Sequence, residues 1–257
     1  IVGGLSETGV QLATNFYESV LDFDERTDLP KPNGVWAVGS AEAAEMVKLA
    51  ETTYRDVNIG LANQFARFAD TTGIDIYQVI EASNSQPYSH IHQPGIAVGG
   101  HCIPVYPQLY LWNDPSANIV QAAREANLAM PAYAVHRLEE TIGSLEGQTV
   151  LVLGAAYRGG VKETAFSGVF DVVQELEERG SHAVVSDPLY SEAELEALGF
   201  ATPTSDTAID AVIVQANHRE YLNFSPEDFP GLKAIIDGRN MLDPNVWGNM
   251  AIALGRK

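Results

Sequence analysis

The hydrophobic pattern of this 257-residue chain changes character a little past its middle. Up to about residue 142, apolar residues recur every three or four positions, which predicts amphipathic helices. From residue 148 onward, short apolar runs alternate with helical segments, which predicts a parallel sheet with crossover helices. The pattern therefore predicts an α/β protein in which a domain of long helices precedes a Rossmann-like parallel-sheet domain.

Four helices are predicted in the first part of the chain. The longest begins after Ser40, a residue type that caps helix N-termini, and its apolar stripe is expected to be its buried face. Pro131 is expected to kink the last helix, because proline lacks a backbone N–H. The predicted elements are a strand end at 1–4, helices at 6–21, 40–69, 76–83 and 119–142, a connection at 22–34 and a rigid loop at 84–118. The stripe comprises Val47, Ala50, Tyr54, Val57, Leu61, Phe65 and Phe68.

The second part contains four predicted strands and two predicted helices. Gly180 is expected to end the first of these helices, since glycine is common just past a helix C-terminus. No Gly-x-Gly-x-x-Gly follows any strand, and the glycines at 154 and 159 have the wrong spacing for it. The domain is therefore expected to bind a nucleotide in another way or to be a structural copy. The strands are predicted at 149–153, 182–186, 211–215 and 234–236, and the helices at 167–179 and 192–198.

The charge balance restricts the possible partners. The chain has 34 Asp and Glu against 15 Lys and Arg, a formal net charge of −19, so nucleic acid and anionic membranes are not expected to bind it. Acid-rich, lysine-poor surfaces suit high salt, which raises the hypothesis of a halophilic source. No apolar run reaches the roughly 18 residues of a membrane span. A single cysteine fits a reducing, cytoplasmic location, and a first residue other than Met suggests that the natural beginning is missing.

The one cysteine, Cys102, lies in a loop rich in glycine and proline, 94–104. Glycines before a cysteine allow backbone N–H groups and a substrate to approach the sulfur closely. This loop resembles the catalytic-cysteine loop of the UDP-glucose/GDP-mannose dehydrogenase family, and Gly-Gly-His-Cys is favoured in its UDP-N-acetylmannosamine dehydrogenase branch. Three further stretches resemble the same family in order and spacing. They are 44–49 running into 55–58, 154–158 with 161–163, and Asp237-Gly238-Arg239-Asn240.

The resemblance implies a protein in three parts. Residues 1–39 would be the end of an NAD-binding domain and a connector, and the rest of that domain lies outside the chain. Residues 40–145 would form a central helical domain that makes a homodimer. Residues 146–257 would form a Rossmann-like domain that binds the UDP-sugar.

The chemistry implied is a four-electron oxidation of sugar C6 to a carboxylate with NAD. Cys102 would add to the aldehyde intermediate and carry it as a thiohemiacetal and then a thioester, which splits one difficult step into easier ones. Lys48 would favour the thiolate and stabilise oxyanions, and Thr52 would donate a hydrogen bond. Arginine suits phosphate because its guanidinium binds bidentately. The substrate-binding residues implied are Gly99, Gly100, His101, Arg158, Arg239 and Tyr88.

Three positions depart from the family pattern. Thr52 replaces the usual Asn, and Ala165 replaces a common Arg. Tyr106 replaces an Asp that assists water, and a phenol cannot act as a carboxylate base at neutral pH. Either another group activates water or hydrolysis is impaired.

Two other functions stay open. The chain could be a non-catalytic UDP-sugar-binding and dimerisation module, because it lacks the NAD fingerprint. The residues His90, His92, His101 and Cys102 could supply zinc ligands, although their spacing matches no standard finger. Among substrates, UDP-N-acetylmannosamine comes first, followed by UDP-glucose and GDP-mannose.

Overall fold

The computed structural model describes residues 1–28 and 32–256. Part of the predicted connector at 22–34, and the last residue of the predicted UDP-sugar-binding domain, lie outside the described residues. The chain divides into two compact units, Ile1–Tyr54 and Arg55 onward. The predicted division at residues 39 and 145 stays a prediction.

The first unit is a small strand–helix–strand arrangement. Strand β1 (Val2–Gly4) pairs in parallel with β2 (Ala37–Ser40), and α1 (Glu7–Val20) connects them. Strand β2 was not predicted. No residue of α1 is fully buried: Val10 lies against Gly4, whereas Leu12 and Phe16 are exposed.

Helix α2 (Ala41–Thr72) confirms the predicted long helix and runs three residues further. The Ser40 side chain accepts a hydrogen bond from the Ala43 N–H at 3.1 Å, as an N-cap does. The assignment of its apolar stripe as the buried face is wrong for this chain, because Leu61, Phe65 and Phe68 are exposed. The buried face is made of small and polar residues: Thr52, Asp56, Ala62, Asn63, Ala66, Ala69 and Asp70.

Four shorter helices follow α2. They are α3 (Ile76–Asn84), α4 (Tyr106–Asn113), α5 (Asn118–Leu128) and α6 (Met130–Ile142). Helix α4 lies inside the segment predicted as a loop. The predicted helix at 119–142 is two helices rather than one kinked helix. Pro131 lies in the first turn of α6, where a missing N–H costs nothing, so the proline starts a new helix.

The five strands of the second unit form one parallel sheet in the order β4-β3-β5-β6-β7. This confirms the predicted fold class, and β3 and β4 match their predicted bounds. Strand β7 was not predicted. The strands are β3 (Thr149–Leu153), β4 (His182–Ser186), β5 (Ala211–Val214), β6 (Ala234–Asp237) and β7 (Ala251–Ala253). The crossover helices include α7 (Val169–Glu178) and α8 (Glu192–Ala197), and α9 (Pro244–Trp247) precedes β7.

Each face of this sheet has its own hydrophobic core. Alternate residues of a strand point to opposite faces, so Val150 and Val152 pack with α6 and α7 while Leu151 and Leu153 pack on the other side. Helix α6 thus covers the sheet, although it belongs to the predicted central domain. The order of the strands places the point where the chain changes direction between β3 and β5. Ligands of open parallel sheets bind beyond the carboxyl ends of the strands at that point.

Among the described helices, none is both long and apolar enough to cross a membrane.

Candidate functional site

A cavity of about 380 Å³ in the second unit collects most of the predicted site residues. Cys102, which is half-buried, lines it together with the residues around it in the loop. Residues that follow strands β3 and β6 form the opposite side. The predicted residues that line it are Cys102, Gly99, Gly100, His101, Arg158 and Arg239.

Backbone hydrogen bonds fix the cysteine loop in place. The Gly95 N–H donates to Asn63 of α2 at 2.9 Å, and the Ile96 N–H donates to the Gly238 carbonyl at 3.0 Å. Further along, the Gly100 N–H donates to the Ala165 carbonyl at 2.9 Å. The N–H of Gly100 is therefore already engaged within the chain. It anchors the loop to the segment that follows β3.

Gly99 is required by a close approach between two segments. A Cβ at this position would lie 2.5 Å from the Tyr157 Cβ and 2.7 Å from the Phe166 carbonyl oxygen. Both distances are too short for any side chain, so only glycine allows the loop to lie this close. The cysteine loop thereby forms one wall of the cavity instead of standing away from the sheet.

Arg239 holds three segments together beneath the cavity. Its Nε, Nη1 and Nη2 atoms donate to the carbonyls of Gln215, Ala97 and Tyr157 at 2.6, 3.2 and 3.3 Å. Burial lowers the pKa of Arg239 to about 10, which still leaves the guanidinium charged at neutral pH. The neighbouring Asp237 is engaged elsewhere, accepting from the N–H groups of Arg239, Met241 and Leu242. The guanidinium of Arg239 therefore donates to backbone carbonyls, and the Asp237 charge acts on it without a hydrogen bond to it.

The cavity is basic in a strongly acidic protein. Arg55, Arg158 and Arg239 line it, and no Asp or Glu is among its described lining residues. The whole chain carries a formal net charge of −19. A concave surface lined by one sign of charge raises the local concentration of the opposite ion. Anions are therefore the ligands that this cavity favours.

His101 is paired with a carboxylate at the mouth of the cavity. Its Nε2 atom lies 3.2 Å from Oε2 of Glu163. The other carboxylate oxygen of Glu163 accepts the Ala165 N–H at 2.9 Å. Mainly because of the hydrogen bond from His101, the pKa of Glu163 lies below its ordinary value. The carboxylate thus orients the imidazole of His101, which lines the same cavity as Cys102.

A buried polar network supports the loop from below and was missed by the sequence analysis. Arg124 of α5 donates to Asp56 of α2 at 2.6 Å, and both side chains are almost fully buried. Asn127 donates to the same Asp56 oxygen at 2.8 Å and accepts from Asn63 at 2.8 Å. Burial raises the pKa of Asp56, and Arg124 and Asn127 partly offset this effect. The sequence signal that could have revealed this network is the pair of polar residues at 56 and 63, which lie seven positions apart on one helix face.

The turn after β3 does not offer a phosphate site of the usual dinucleotide kind. In Rossmann domains the N–H groups of this turn bind a pyrophosphate. Here the N–H groups of Ala155 and Ala156 donate to Asp187 at 2.8 and 3.0 Å. His218 lies 3.1 Å from the same oxygen, and both side chains are buried. A carboxylate of the chain itself thus occupies the place of a bound anion.

The remaining predicted site residues lie elsewhere or in the first unit. Lys48 pairs with Glu51 at 3.3 Å, and Thr52 donates to the Lys48 carbonyl at 2.7 Å. The approach of Lys48 to Cys102 stays a prediction. Tyr88 is 92% exposed and is not among the described residues that line the cavity. Among the described residues, no group of three His, Cys, Asp or Glu side chains is placed to hold a metal ion.

Fold and site together define the class of protein: a Rossmann-like parallel-sheet protein whose basic cavity contains a thiol. Comparison with known families makes this more specific. Residues 42–129 match the central domain of the UDP-glucose/GDP-mannose dehydrogenase family, and residues 151–244 match its UDP binding domain. The chain belongs to this family, which confirms the resemblance found in the sequence.

Individual relatives agree with this assignment. The chain is 33% identical to UDP-N-acetyl-D-mannosamine dehydrogenase of Methanocaldococcus jannaschii, over 96% of this chain and 56% of that protein. It is 34% identical to the protein of the same name from Pyrococcus horikoshii, over 100% of this chain and 59% of that protein.

Solved structures give the same result. The P. horikoshii UDP-D-ManNAc dehydrogenase matches with a TM-score of 0.82 at 32% identity, covering 99% of this chain and 59% of that one. A UDP-glucose dehydrogenase from Pyrobaculum islandicum matches with a TM-score of 0.79 at 27% identity, covering 99% and 58%. The chain therefore spans somewhat more than half the length of these relatives.

Proposed function

We propose that the chain is the nucleotide-sugar-binding and thiol-bearing part of a UDP-sugar 6-dehydrogenase. One observation carries this proposal: the only cysteine and three arginines line the same cavity, with no carboxylate among the described lining residues. A diphosphate needs cationic donors, and covalent oxidation of an aldehyde needs a thiol. A cavity that combines the two fits a substrate with a diphosphate at one end and a reacting carbon at the other.

Arg158 and Arg239 have different proposed roles at the diphosphate. Three carbonyls already engage the guanidinium of Arg239, so it contributes charge and holds the wall of the cavity. Arg158 is exposed and stacks over the Tyr157 ring at 5.7 Å, so its fork can turn toward a phosphate. Gly99 and Gly100 line the cavity, so a ligand there would lie against their backbone.

Cys102 is the proposed nucleophile. Its sulfur adds to the C6 aldehyde carbon to form a thiohemiacetal. A two-electron oxidation of that carbon, for which NAD would be the acceptor, would give a thioester that keeps the carbon–sulfur bond until water releases the acid. In this proposal Lys48 stabilises the oxyanions that form, and Thr52 holds the Lys48 carbonyl within the helix.

UDP-N-acetylmannosamine is the proposed sugar nucleotide, and UDP-glucose is the alternative. The Gly-Gly-His-Cys sequence and the names of the M. jannaschii and P. horikoshii relatives support the first choice. The match to a UDP-glucose dehydrogenase structure keeps the second open.

NAD is the proposed oxidant, but the Rossmann-like domain of this chain does not fit it. The N–H groups that would hold a pyrophosphate already bind Asp187. We place NAD outside the residues of this chain. The proposed roles of Cys102, Lys48 and Thr52 do not include binding it. The lone thiol agrees with a reducing compartment, for which we propose the cytoplasm.

Removing the charge of Arg158 tests the diphosphate site. The Arg158→Met variant should bind UDP-N-acetylmannosamine about 10- to 100-fold more weakly by calorimetry, since a charge-assisted hydrogen bond contributes about 1.5–3 kcal/mol. The matched control is Arg219→Met, because Arg219 is also exposed but does not line the cavity. Equal affinity of the wild type, Arg158→Met and Arg219→Met for UDP-N-acetylmannosamine would contradict the proposal. So would the absence of binding to all three proteins.

We further propose that a second copy of the chain covers the exposed apolar stripe of α2. Leu61, Phe65 and Phe68 lie on one helix face, and Phe68 is 62% exposed. Exposed apolar stripes of this kind mark interfaces between proteins. The double variant Phe65→Glu/Phe68→Glu should weaken a dimer at least about 100-fold, because each buried Phe contributes about 1.5–3 kcal/mol. Sedimentation velocity should show that the double variant is a monomer. The control variant Gln64→Glu should still be a dimer. A wild-type monomer would contradict this proposal.

A further inference from the structure

Release of an acid from a thioester requires a base, and the cavity restricts which group can serve. The described lining side chains are arginines, aliphatic residues, a glutamine, a tyrosine, a histidine and the cysteine itself. Arginine stays protonated in proteins, an amide is not a base, and a phenol is protonated at neutral pH. The imidazole of His101 is the one remaining group among them that can accept a proton from water near neutral pH.

The contacts of His101 prepare one ring nitrogen for this task. Its Nε2 faces the Glu163 carboxylate at 3.2 Å, and the carboxylate is itself fixed by the Ala165 N–H. The low pKa of Glu163 keeps that group an anion, so Nε2 carries the proton and donates it. The other nitrogen, Nδ1, is then unprotonated and can accept. A carboxylate that orients an imidazole beside a nucleophile is the arrangement that hydrolytic triads use.

The same contacts tie this pair to the loop that bears the thiol. Ala165 donates its N–H to Glu163 and accepts the Gly100 N–H at its carbonyl. His101 is the next residue in the chain, and Cys102 follows it. One short hydrogen-bonded circuit therefore fixes the carboxylate and the imidazole relative to the backbone that leads into Cys102.

We propose that His101, oriented by Glu163, is the general base that activates water for hydrolysis of the Cys102 thioester. This role rests on the proposed function. Nδ1 of His101 takes a proton as the water oxygen bonds to the thioester carbon, and the carbonyl electrons move onto its oxygen. The tetrahedral intermediate collapses, the carbon–sulfur bond breaks, and Cys102 leaves as a thiolate. The new carboxylic acid loses its proton to solvent, and the proton on Nδ1 returns to the thiolate.

The proposed role of His101 also explains how the thioester can be hydrolysed although Tyr106 replaces the usual Asp. Tyr106 begins helix α4, and the phenol is not among the described groups that line the cavity. The imidazole is on the lining surface and comes directly before the thiol in the chain. Hydrolysis in this protein therefore needs no carboxylate at position 106.

The decay of an acylated Cys102 tests this role with the chain alone. Cys102 is acetylated with p-nitrophenyl acetate, excess reagent is removed, and loss of the acetyl group is followed by intact mass. The decay is first-order, so incomplete acetylation of a variant does not affect the rate. His101→Asn should slow the decay at least about 100-fold, the usual contribution of a general base. Glu163→Gln should slow it about 10-fold.

The matched control is His182→Asn, which removes an exposed imidazole from strand β4. Its decay should equal that of the wild type. Equal decay rates for wild type, His101→Asn and Glu163→Gln would overturn the assignment. Binding of UDP-N-acetylmannosamine to the same preparations separates the two proposals. Loss of the sugar nucleotide site would appear as no binding, whereas failure of the base would appear as normal binding with unchanged decay.

Discussion

Replacement of Cys102 by serine is expected to abolish oxidation of the sugar to its acid. In the protein supplied with its NAD-binding part, NADH formation from UDP-N-acetylmannosamine should fall at least about 1,000-fold, in the range found when nucleophiles of other enzymes are removed. A serine hydroxyl is far less ionised than a thiol and does not capture the aldehyde. The measurement is the increase in NADH absorbance at saturating substrate.

Binding provides the control for this variant. Since the sulfur has no proposed contact with the diphosphate, the affinity of Cys102→Ser for UDP-N-acetylmannosamine should stay within about 3-fold of the wild type by calorimetry. Residual turnover above about one tenth of the wild-type rate would remove Cys102 from the mechanism. Wild-type protein that binds the sugar nucleotide but never forms NADH with any UDP-hexose would favour a non-catalytic binding module.

Replacement of Asp187 by alanine is expected to give the largest loss of stability. The change leaves three N–H groups, those of Ala155, Ala156 and Leu189, without their acceptor and leaves His218 buried without its anion. Breaking a buried pair from one side costs about 3–5 kcal/mol, so the urea midpoint should fall with little change in slope. Asp206→Ala, at an exposed position, should change the free energy of unfolding by less than about 0.5 kcal/mol.

The contribution of Asp187 should also depend on pH. Burial raises the pKa of Asp187, but hydrogen bonds from His218, Ala156 and Leu189 outweigh it and bring the pKa below its ordinary value. A carboxyl group with a lower pKa in the folded state stabilises the fold above the pKa of the unfolded chain, about 3.9, and this stabilisation is lost on further acidification. The difference in stability between wild type and Asp187→Ala should therefore shrink as the pH falls below about 4. A constant difference down to about pH 2 would contradict this explanation.

The sequence predicts the sheet better than it predicts the helices. Strands β3 and β4 have their predicted bounds because strands buried on both faces appear as continuous apolar runs. The apolar stripe of α2 led to the wrong face, since periodicity shows which residues share a face but not what that face meets. Inside the described chain, the face with Asp56 and Asn63 is the buried one. A pattern of apolar residues cannot distinguish a core from a surface that awaits a partner.

The candidate site, like the fold, was predicted only in part. The loop with Cys102, and the arginines at 158 and 239, were predicted from motifs and share one cavity. Their contacts were not predictable, because hydrogen bonds between residues far apart in sequence leave no local pattern. Examples are the Arg239 bond to Ala97 and the His101 contact with Glu163. These long-range contacts determine which donors remain for a ligand.

The proposed function requires that the thiol and the nucleotide site be one site. The most direct test is the rate at which iodoacetamide alkylates Cys102, followed by mass spectrometry with and without UDP-N-acetylmannosamine. At a ligand concentration of 100 Kd only about 1% of sites stay free, so alkylation should slow at least about 10-fold. An unchanged rate, with binding of the sugar nucleotide verified by calorimetry in the same sample, would show that the thiol lies outside the site and would contradict the account.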